Sequence, residues 1–470
     1  MKVLLISPPY MELYGATRIS EGVTPPLGIM YIASILEKND IDVSIIDGDA
    51  SSLTWKKLAE LIKKESPDIV GITSTTPTIK QVHKTARIAK YVKEDTIVVI
   101  GGIHASTLPE ETLLPKEVDI VIRGEADYIT LQLVKSLENG KSFKDVLGIS
   151  YKENGRFIHN PPAPLIDKLD DLPFPAHHLI NQGDYRLPIT RKLTRHKFTV
   201  IISSRGCPYQ CIFCATRNVF GNICRFRSPK NTVDEIEFVL NKLNVKEILF
   251  YDDTFTLNIK RAIEICNEII ERGLDFIWQC GSRVDRINRE ILSKLYKAGC
   301  RRIGYGIESG SQEILNRIKK GITLDQARKS IKLTKEMGIS VLASFMFGHP
   351  GETLKTAEAT IKFAKELNPD WANFFVATPF PGTELYEYAK SKGLIQDTDW
   401  SKYLVFPDTP LMETDELSGE MLLELHKRAY KEFYLRSNYL ISRFARLVSL
   451  SEFIQILKGG ITYTMWKFLT

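Results

Sequence analysis

The sequence predicts an α/β protein built from two successive sheets and a helical end. Short β-branched runs alternate with helical segments over residues 1–140, which is typical of a doubly wound, Rossmann-like parallel sheet. Six further strand–helix units over residues 196–385 predict a partial (β/α)6 barrel, similar to a TIM barrel but open on one side. Proline-rich residues 141–195 predict a linker, in which residues 152–156 are a hairpin-turn signal between two short strands. Residues 386–470 predict a mostly helical cap.

Composition restricts the class of protein and its compartment. The 470 residues carry a net charge of +6, which is too modest to indicate a nucleic-acid partner. All seven cysteines fall at or after position 207, and their odd number favours a reducing compartment over a secreted disulfide framework. The first apolar run ends at Pro8 and is too short for a signal peptide, and no apolar run of about eighteen residues indicates a membrane-spanning helix. We therefore expect a cytoplasmic protein.

The first domain is predicted to have five parallel strands, at 3–6, 43–46, 69–72, 97–100 and 120–122. Ligands on such sheets bind beyond the carboxyl ends of the strands. No G-x-G-x-x-G pattern follows the first strand, so a dinucleotide site is not expected. The third strand is followed by a hydroxyl-rich loop with Ser74 and Thr76. The fourth is followed by Gly101 and Gly102, where a flat ligand can approach the backbone.

Three cysteines follow the first predicted strand of the second domain at a C-x3-C-x2-C spacing: Cys207, Cys211 and Cys214. Three thiolates on one short loop can converge on one metal centre, and soft sulfur ligands favour Fe–S clusters, Zn or Cu(I). Structural zinc usually has four protein ligands, and the nearest fourth candidate is Cys224. A cluster held by three cysteines leaves one iron open for a ligand that is not protein. The alternative is a zinc knuckle or three unrelated thiols.

The second domain is predicted to have six strands, at 197–203, 247–251, 276–280, 302–307, 341–347 and 371–376. Active sites of such barrels lie at the carboxyl ends of the strands. Every strand after the first is followed there by polar or glycine-rich residues. These strand ends supply the candidate site residues of this domain, which are Asp252, Asp253, Arg283, Glu308 and Ser309.

The cysteine motif, with Phe213 as the aromatic residue before its last cysteine, resembles the signature of radical S-adenosylmethionine (SAM) enzymes. The resemblance implies that Cys207, Cys211 and Cys214 hold a [4Fe–4S] cluster whose open iron binds SAM. It also implies that the reduced cluster cleaves SAM to a 5′-deoxyadenosyl radical.

The same resemblance implies which residues contact SAM. Asp252 and Asp253 replace the family's usual Gly-Gly-Glu, and Asp253 is expected near the SAM amino group. Arg283 matches a position that pairs with the SAM carboxylate, for which a guanidinium fork is well suited. Glu308, with Ser309, matches the position that holds the ribose hydroxyls.

The first domain resembles the cobalamin-binding domain. In that family a Ser/Thr loop after the third strand and a glycine pair after the fourth line the nucleotide tail. Here these are Ser74, Thr76, Gly101 and Gly102. The family's D-x-H-x-x-G motif is absent, so the chain is similar to members in which no protein histidine binds cobalt. His104 either touches the corrin or packs against the glycine turn.

Together the resemblances, which cover residues 1–385, imply a cobalamin-dependent radical SAM enzyme. The implied activity is that of a methyltransferase acting on an unactivated carbon. One SAM methylates the cobalamin, and a second gives the radical that removes a substrate hydrogen atom before the methyl group is transferred. One alternative is ring formation, ring rearrangement or oxidation without methyl transfer. A second alternative is a non-catalytic corrinoid-binding protein.

The last residues are rich in aromatic and basic side chains. Spacings of three and four favour an amphipathic helix that caps the open barrel over 420–447. For 450–470, a cap and a peripheral contact with the inner face of the membrane both remain open. The implied partners are a small-molecule or lipid substrate and an electron donor such as a ferredoxin or flavodoxin. No nucleic acid is expected.

Overall fold

The computed structural model describes residues 1–14, 22–188, 191–404 and 410–444. Its first sheet contains β1 (Lys2–Ser7), β2 (Asp42–Asp47), β3 (Ile69–Ser74), β4 (Ile97–Gly102), β5 (Ile120–Ile122), β6 (Ile149–Glu153) and β7 (Arg156–His159). Their spatial order within the described residues is β2-β1-β3-β4-β5-β6-β7. The first five strands are parallel, which confirms the predicted sheet.

The hairpin of β6 and β7 departs from the predicted all-parallel sheet. The sequence predicts a hairpin here but assigns it to the linker. In the structure β6 pairs antiparallel with β5, and Ile149 and Tyr151 become buried. The turn residues Asn154 and Gly155 have φ of 51° and 75°, as a two-residue hairpin turn requires. The first sheet is therefore mixed.

Helices cover both faces of this sheet. They are α1 (Leu27–Glu37), α2 (Trp55–Glu65), α3 (Ile79–Val92), α4 (Ile103–Thr107), α5 (Pro109–Leu113) and α6 (Ala126–Glu138). Val3 and Leu5 of β1 pack in the core that includes α1 and α6, whereas Leu4 and Ile6 pack with α2 and α3. Burial on both faces explains why these strands are continuous apolar runs in the sequence.

The second sheet has six parallel strands among the described residues. They are β8 (Phe198–Ile201), β11 (Glu247–Phe250), β12 (Ile277–Ser282), β13 (Cys300–Glu308), β14 (Ser340–Phe347) and β15 (Trp371–Val376), in the order β15-β14-β13-β12-β11-β8. Shortly after β8 in the sequence, β9 (Ser204–Arg205) pairs antiparallel with β10 (Arg225–Phe226) in a separate two-stranded ribbon. All six predicted strands are confirmed.

Helices lie between these strands and after them. They are α7 (Arg217–Phe220), α8 (Pro229–Leu243), α9 (Ile259–Glu271), α10 (Arg289–Lys297), α11 (Gln312–Arg317), α12 (Leu324–Glu336), α13 (Leu354–Leu367), α14 (Glu384–Ser391), α15 (Gly419–Tyr434) and α16 (Ser437–Phe444). Thr323 and Thr353 begin α12 and α13 with reciprocal capping boxes, which fix where these helices start.

The two domains share one apolar core. Met30 and Tyr31 of α1 belong to the same buried cluster as Val200 of β8 and Leu249 of β11. The linker adds Leu172 and other side chains to this cluster. The first domain therefore covers the inner face of β8 and β11 and holds the two sheets in a fixed relation.

Helix α15 covers the edge of the second sheet at β15. Tyr434 Oη accepts from Ala372 N at 3.0 Å and donates to Ala372 O at 2.7 Å. Tyr430 Oη and His426 Nε2 similarly reach the backbone of Phe374. Side chains thus satisfy the backbone groups that an edge strand leaves unpaired. The predicted C-terminal helical region is confirmed as far as residue 444, where two helices, α15 and α16, stand in place of the single predicted one.

The membrane alternative predicted for residues 450–470 falls outside the described residues. Within the described part of the chain, each helix is either too short or too polar to cross a membrane.

Candidate functional site

The carboxyl ends of the two sheets meet. Helix α4 directly follows Gly102, and α7 follows the cysteine loop, defined here as residues 206–216. Asn218 Nδ2 of α7 donates to Thr107 Oγ1 of α4 at 3.3 Å and to Pro381 O at 3.1 Å. The loops predicted to bind cobalamin and the loop predicted to bind the cluster therefore lie at one domain boundary.

The cysteine loop has a tightly constrained start. Gly206 has φ of 91°, and a Cβ at this position would lie 2.2 Å from Ile223 O, so only glycine fits. Further along, Cys214 N donates to Cys211 O at 3.1 Å. These contacts turn the chain back on itself between the first and last cysteines of the motif.

The three motif thiols are free and lie close enough to interact electrostatically. Burial raises the pKa of Cys207 and of Cys211, and the positive charge of Lys320 opposes this shift at Cys211. Among the described residues, no three Cys, His, Asp or Glu side chains are close enough to hold a single metal ion. A four-iron cluster binds each cysteine through a different iron, so its ligands stand further apart. Three free thiols on one loop are a donor set that fits such a cluster.

Cys224, the fourth candidate, lies outside the cysteine loop. Its thiol forms a hydrogen bond with Ser204, and burial raises its pKa to about 12.

The two aspartates after β11 have different surroundings. Asp252 is buried and accepts from Ser203 N at 3.1 Å, from Ser203 Oγ at 2.7 Å and from Ser204 Oγ. It therefore fixes the segment that leads into the cysteine loop. Asp253 is exposed, accepts from Thr216 Oγ1 at 3.2 Å and lies near Cys207. Asp253 is thus the more accessible of the two carboxylates, and its contact with SAM stays a prediction.

Arg283, after β12, is buried against the cysteine loop. Its guanidinium carbon lies 3.5 Å from the centre of the Tyr209 ring. Its Nε donates to Asp285 Oδ1 at 2.9 Å, and its Nη2 donates to Asp285 Oδ2 and Gly321 O, each at 3.3 Å. Tyr209 therefore packs on protein. The fork predicted for the SAM carboxylate is already partly engaged, and no described residue accepts from Nη1.

Glu308 ends β13 in a backbone conformation that is rare for a residue with a side chain, with φ of 69°. Its Oε1 accepts from Lys320 Nζ at 2.7 Å, and both side chains are buried. A Cβ on Gly306 would lie 2.4 Å from this oxygen and 2.8 Å from Nζ, so the ion pair lies directly over that glycine. The backbone strain and the buried ion pair both make Glu308 a candidate functional residue, and its contact with SAM stays a prediction.

Lys320 is a candidate site residue that sequence reasoning missed. It stands between Lys319 and Gly321 in a polar stretch that resembles an ordinary solvated turn. Lys319 does point outward, to Glu384, whereas Lys320 points inward to Glu308. No signal in the sequence separates the two lysines.

Ser309 is placed differently from Glu308. It is fully buried, and its Oγ lies 3.2 Å from Thr360 Oγ1 of α13 and accepts from Ser311 N at 3.1 Å. Its hydroxyl therefore serves the turn between β13 and α11. A contact between Ser309 and SAM stays a prediction.

The turn after β14 contains two buried titratable groups. Glu352 Oε2 accepts from Gly348 N at 2.5 Å and from His349 N at 3.3 Å. Burial raises the pKa of Glu352 to about 7 and lowers that of His349 to about 3. The His349 ring lies 5.9 Å from the Phe213 ring of the cysteine loop, so this turn supports the loop from behind.

The predicted cobalamin loops are locked together. Ser74 Oγ donates to Gly101 O at 2.7 Å and accepts from Ala105 N at 3.3 Å. Gly102 has φ of 104°, and a Cβ there would lie 2.3 Å from Ser74 O. A Cβ on Gly101 would meet nothing within 4 Å. The strand end thus leaves open space at Gly101, which fits a flat ligand.

His104 packs within the protein. Its Nδ1 lies 3.4 Å from Thr76 Oγ1, and its ring lies 5.9 Å from the Trp400 ring. Burial lowers its pKa to about 4, so the ring is neutral. Trp400 Nε1 donates to Glu111 and so brings the C-terminal region over the predicted cobalamin loops. Of the two interpretations of His104, the structure favours packing.

A buried ionic network joins the first domain to the cysteine loop. Arg205, two residues before Cys207, donates to both oxygens of Asp127, at 2.8 and 2.9 Å, and to Glu125 at 3.2 Å. Arg225 donates to Glu125 at 2.6 Å. The acidic residues after β5 therefore position the cysteine loop.

Comparison with known proteins identifies both domains. The B12 binding domain family matches residues 16–134, and the Radical SAM superfamily matches residues 201–364. An uncharacterized methyltransferase of Pyrococcus horikoshii is 41% identical over 442 residues, which is 94% of each chain. An anaerobic magnesium-protoporphyrin IX monomethyl ester cyclase of Rubrivivax gelatinosus is 32% identical over 455 residues, covering 95% of this chain and 80% of the cyclase.

Solved structures show the same fold. The cobalamin-dependent S-adenosylmethionine radical enzyme OxsB has a TM-score of 0.76 at 18% identity, covering 100% of this chain and 72% of OxsB. The radical SAM methyltransferase TsrM of Kitasatospora setae has a TM-score of 0.70 at 21% identity, covering 83% of this chain and 75% of TsrM. With both domains matched and full-length relatives above 30% identity, the chain belongs to the cobalamin-dependent radical SAM enzymes, whose cofactors are a [4Fe–4S] cluster, SAM and cobalamin.

Proposed function

We propose that this enzyme is a methyltransferase that moves a methyl group from SAM, by way of cobalamin, to an unactivated carbon. The observation that carries the proposal is the contact between α4, beyond Gly102, and α7, beyond Cys214. A methyl donor held by the first domain and a radical source held by the second must reach one substrate carbon. The relative named as a methyltransferase supports the same conclusion.

In this proposal each cofactor has its own residues. When bound, the cofactors supply a radical that removes a hydrogen atom and a methyl group that replaces it. The chain's own residues bind and orient them. The cluster is assigned to Cys207, Cys211 and Cys214; SAM to Asp253, Arg283 and Glu308, with Ser309 behind them; and cobalamin to Ser74, Thr76, Gly101 and Gly102. We include an electron donor such as a ferredoxin or flavodoxin as the partner that reduces the cluster.

Anaerobic reconstitution with iron, sulfide and hydroxocobalamin tests the cofactor assignments. We expect about four irons and about one cobalt per chain. Cys211→Ala should lose most of the iron and keep the cobalt. Cys266→Ala is the matched control, because Cys266 is buried in the core of the second domain, and it should keep both metals. Four irons without cobalt would require the methyl-transfer mechanism to be dropped.

Product analysis with methyl-deuterated SAM tests the reaction. Deuterium should appear in the product, and 5′-deoxyadenosine should accumulate in step with it. Formation of 5′-deoxyadenosine with an unlabelled product would refute methyl transfer while leaving a radical SAM enzyme. Absence of 5′-deoxyadenosine from a fully reconstituted protein would favour the non-catalytic corrinoid-binding alternative.

Ring formation without methyl transfer is the second candidate. The relative from Rubrivivax gelatinosus, whose match covers most of this chain, is named as a cyclase. A cyclase product would carry no deuterium and would be lighter than the substrate by two hydrogens if no oxygen is added. The same labelling experiment therefore decides between the two candidates.

A further inference from the structure

The inner face of the second sheet can be assigned from strand register. In parallel strands, residues paired in register point to the same side of the sheet. Gly306 of β13 pairs with Ser344 of β14, and Ser344 pairs with Asn373 of β15. Helices bury the residues that alternate with these, such as Phe345 and Phe374. Gly306, Ser344 and Asn373 therefore form one row on the side away from those helices.

This inner side is open. Ser344 and Asn373 are each partly exposed, although they lie in the middle of strands whose other side is buried. A Cβ on Gly281 of β12 would come no closer than 3.6 Å to any atom, and one on Gly304 of β13 no closer than 3.8 Å. Glycine on two adjacent strands leaves room for a ligand over the sheet. We call this space the lumen.

The lumen is apolar above and below the row of Ser344 and Asn373. Leu342 and Trp371 pair with each other two residues before Ser344 and Asn373 along their strands. Met346 and Phe375 pair with each other two residues after them, towards the carboxyl ends. We call each such distance of two residues one register step. The row itself carries a hydroxyl and an amide without charge. Neither side chain makes a hydrogen bond to any residue that the structure describes, so both remain able to bind a ligand.

The charges beside the lumen are already neutralised or buried. Glu308 and Lys320 pair with each other at 2.7 Å over Gly306. Arg302, one register step below Gly304 on the same side, is buried, with its guanidinium 5.8 Å from the Trp371 ring. A carboxylate or phosphate placed against the row of Ser344 and Asn373 would lose its hydration, because Lys320 is already paired with Glu308 and Arg302 lies two register steps deeper.

We infer that Ser344 and Asn373 bind the substrate, and that the substrate is a largely apolar molecule with an uncharged hydrogen-bonding group such as a hydroxyl, carbonyl or amide. This inference rests on the proposed function, because it names the substrate class of the same site. The hydroxyl and the amide together offer donors and acceptors to one such group. The flanking Leu342, Trp371, Met346 and Phe375 surround the apolar remainder. Ser344 and Asn373 are thus specificity-determining residues.

The test compares three probes that share one ring system and differ in head group: 2-naphthol, 2-naphthoate and 2-naphthyl phosphate. Binding to the reconstituted, SAM-loaded enzyme is measured by anaerobic equilibrium dialysis. We expect 2-naphthol to bind at least about fivefold tighter than either anion. Ser344→Ala and Asn373→Leu should each raise the Kd for 2-naphthol about five- to tenfold, which is the effect of one lost hydrogen bond. Both variants should leave the Kd for SAM unchanged. Ser391→Ala, an exposed serine of α14, is the control and should change neither.

Three results would overturn the inference. Tighter binding of either anion would contradict the uncharged substrate class, as would no detectable binding of 2-naphthol at its solubility limit. Weakened SAM binding in the two variants, with unchanged binding of 2-naphthol, would assign the row to SAM. The dialysis measures binding of the probes, so its result does not depend on whether the enzyme transfers a methyl group. If the probes bind as expected but the product made from methyl-deuterated SAM carries no deuterium, the proposed function is refuted and the inference about Ser344 and Asn373 stands.

Discussion

Asp127→Asn is expected to weaken the attachment of the cysteine loop to the first domain. Asp127 accepts two hydrogen bonds from Arg205, at 2.8 and 2.9 Å, and both side chains are less than 10% exposed, at 8% and 7%. Breaking a buried ion pair typically costs about 3–5 kcal/mol, because the remaining charge stays buried without its partner. Glu125 still contacts Arg205 at 3.2 Å and retains part of the interaction. We therefore expect about 3 kcal/mol.

Urea unfolding of the apoprotein, followed by intrinsic fluorescence, measures this loss. With an m-value of about 3 kcal/mol/M, the midpoint should fall by about 1 M. The matched control is Asp399→Asn, which removes another ion pair between the first domain and the C-terminal region, with Lys80. There Lys80 is 58% exposed and Asp399 is 32% exposed, so the control should cost no more than about 1 kcal/mol.

Equal midpoint shifts in the two variants would refute the reasoning, because they would show that burial does not decide the strength of this contact. A second readout follows from the position of Arg205 next to the cluster ligands. Iron retained after reconstitution should fall in Asp127→Asn and stay normal in Asp399→Asn. Normal iron content in Asp127→Asn would mean that the network stabilises the domain boundary without positioning the cysteine loop.

Three further predictions concern single side chains. Lys320→Gln should destabilise the protein by about 3 kcal/mol or more by leaving Glu308 unpaired, whereas a similar loss in the exposed neighbour variant Lys319→Gln would contradict this. Burial raises the pKa of Glu352 to about 7, so this carboxyl stabilises the folded protein, relative to Glu352→Gln, fully below about pH 4.5. This contribution to the unfolding free energy, roughly 3 kcal/mol, should be lost as the pH rises through about 7. A difference in unfolding free energy between the two proteins that does not vary with pH would refute this prediction. Tyr434→Phe should cost about 1–3 kcal/mol by removing its hydrogen bonds to β15, and an unchanged urea midpoint would contradict the capping role.

The strands could be predicted because burial fixes their composition. The parallel strands of both sheets appear as apolar runs, and their predicted centres are confirmed. The hairpin of β6 and β7 was predicted as a hairpin but not as part of the first sheet. Its pairing with β5 depends on contacts between residues far apart in sequence, such as Tyr151 with Ile120, which local patterns do not encode.

The site was predictable where its chemistry needs a fixed residue type at a fixed spacing. The cysteines of the motif, and the glycines whose neighbours leave no room for a Cβ, belong to this class. Lys320 does not, because a lysine in a polar turn carries no sign of where its ammonium group points. The same limit explains Ser309, whose hydroxyl faces α13 although it directly follows Glu308.

The apolar core shared by the two domains determines which part of the second sheet stays open. Since α1 fills the inner face of β8 and β11, the open part of the second sheet is confined to β12–β15, beside Gly281 and Gly304. Helix α15 covers the far edge at β15. The predicted SAM contacts and the predicted cobalamin loops both follow the carboxyl ends of strands. We expect a substrate bound at Ser344 and Asn373 to meet both cofactors there, which is the arrangement that the proposed methyl transfer through two cofactors requires.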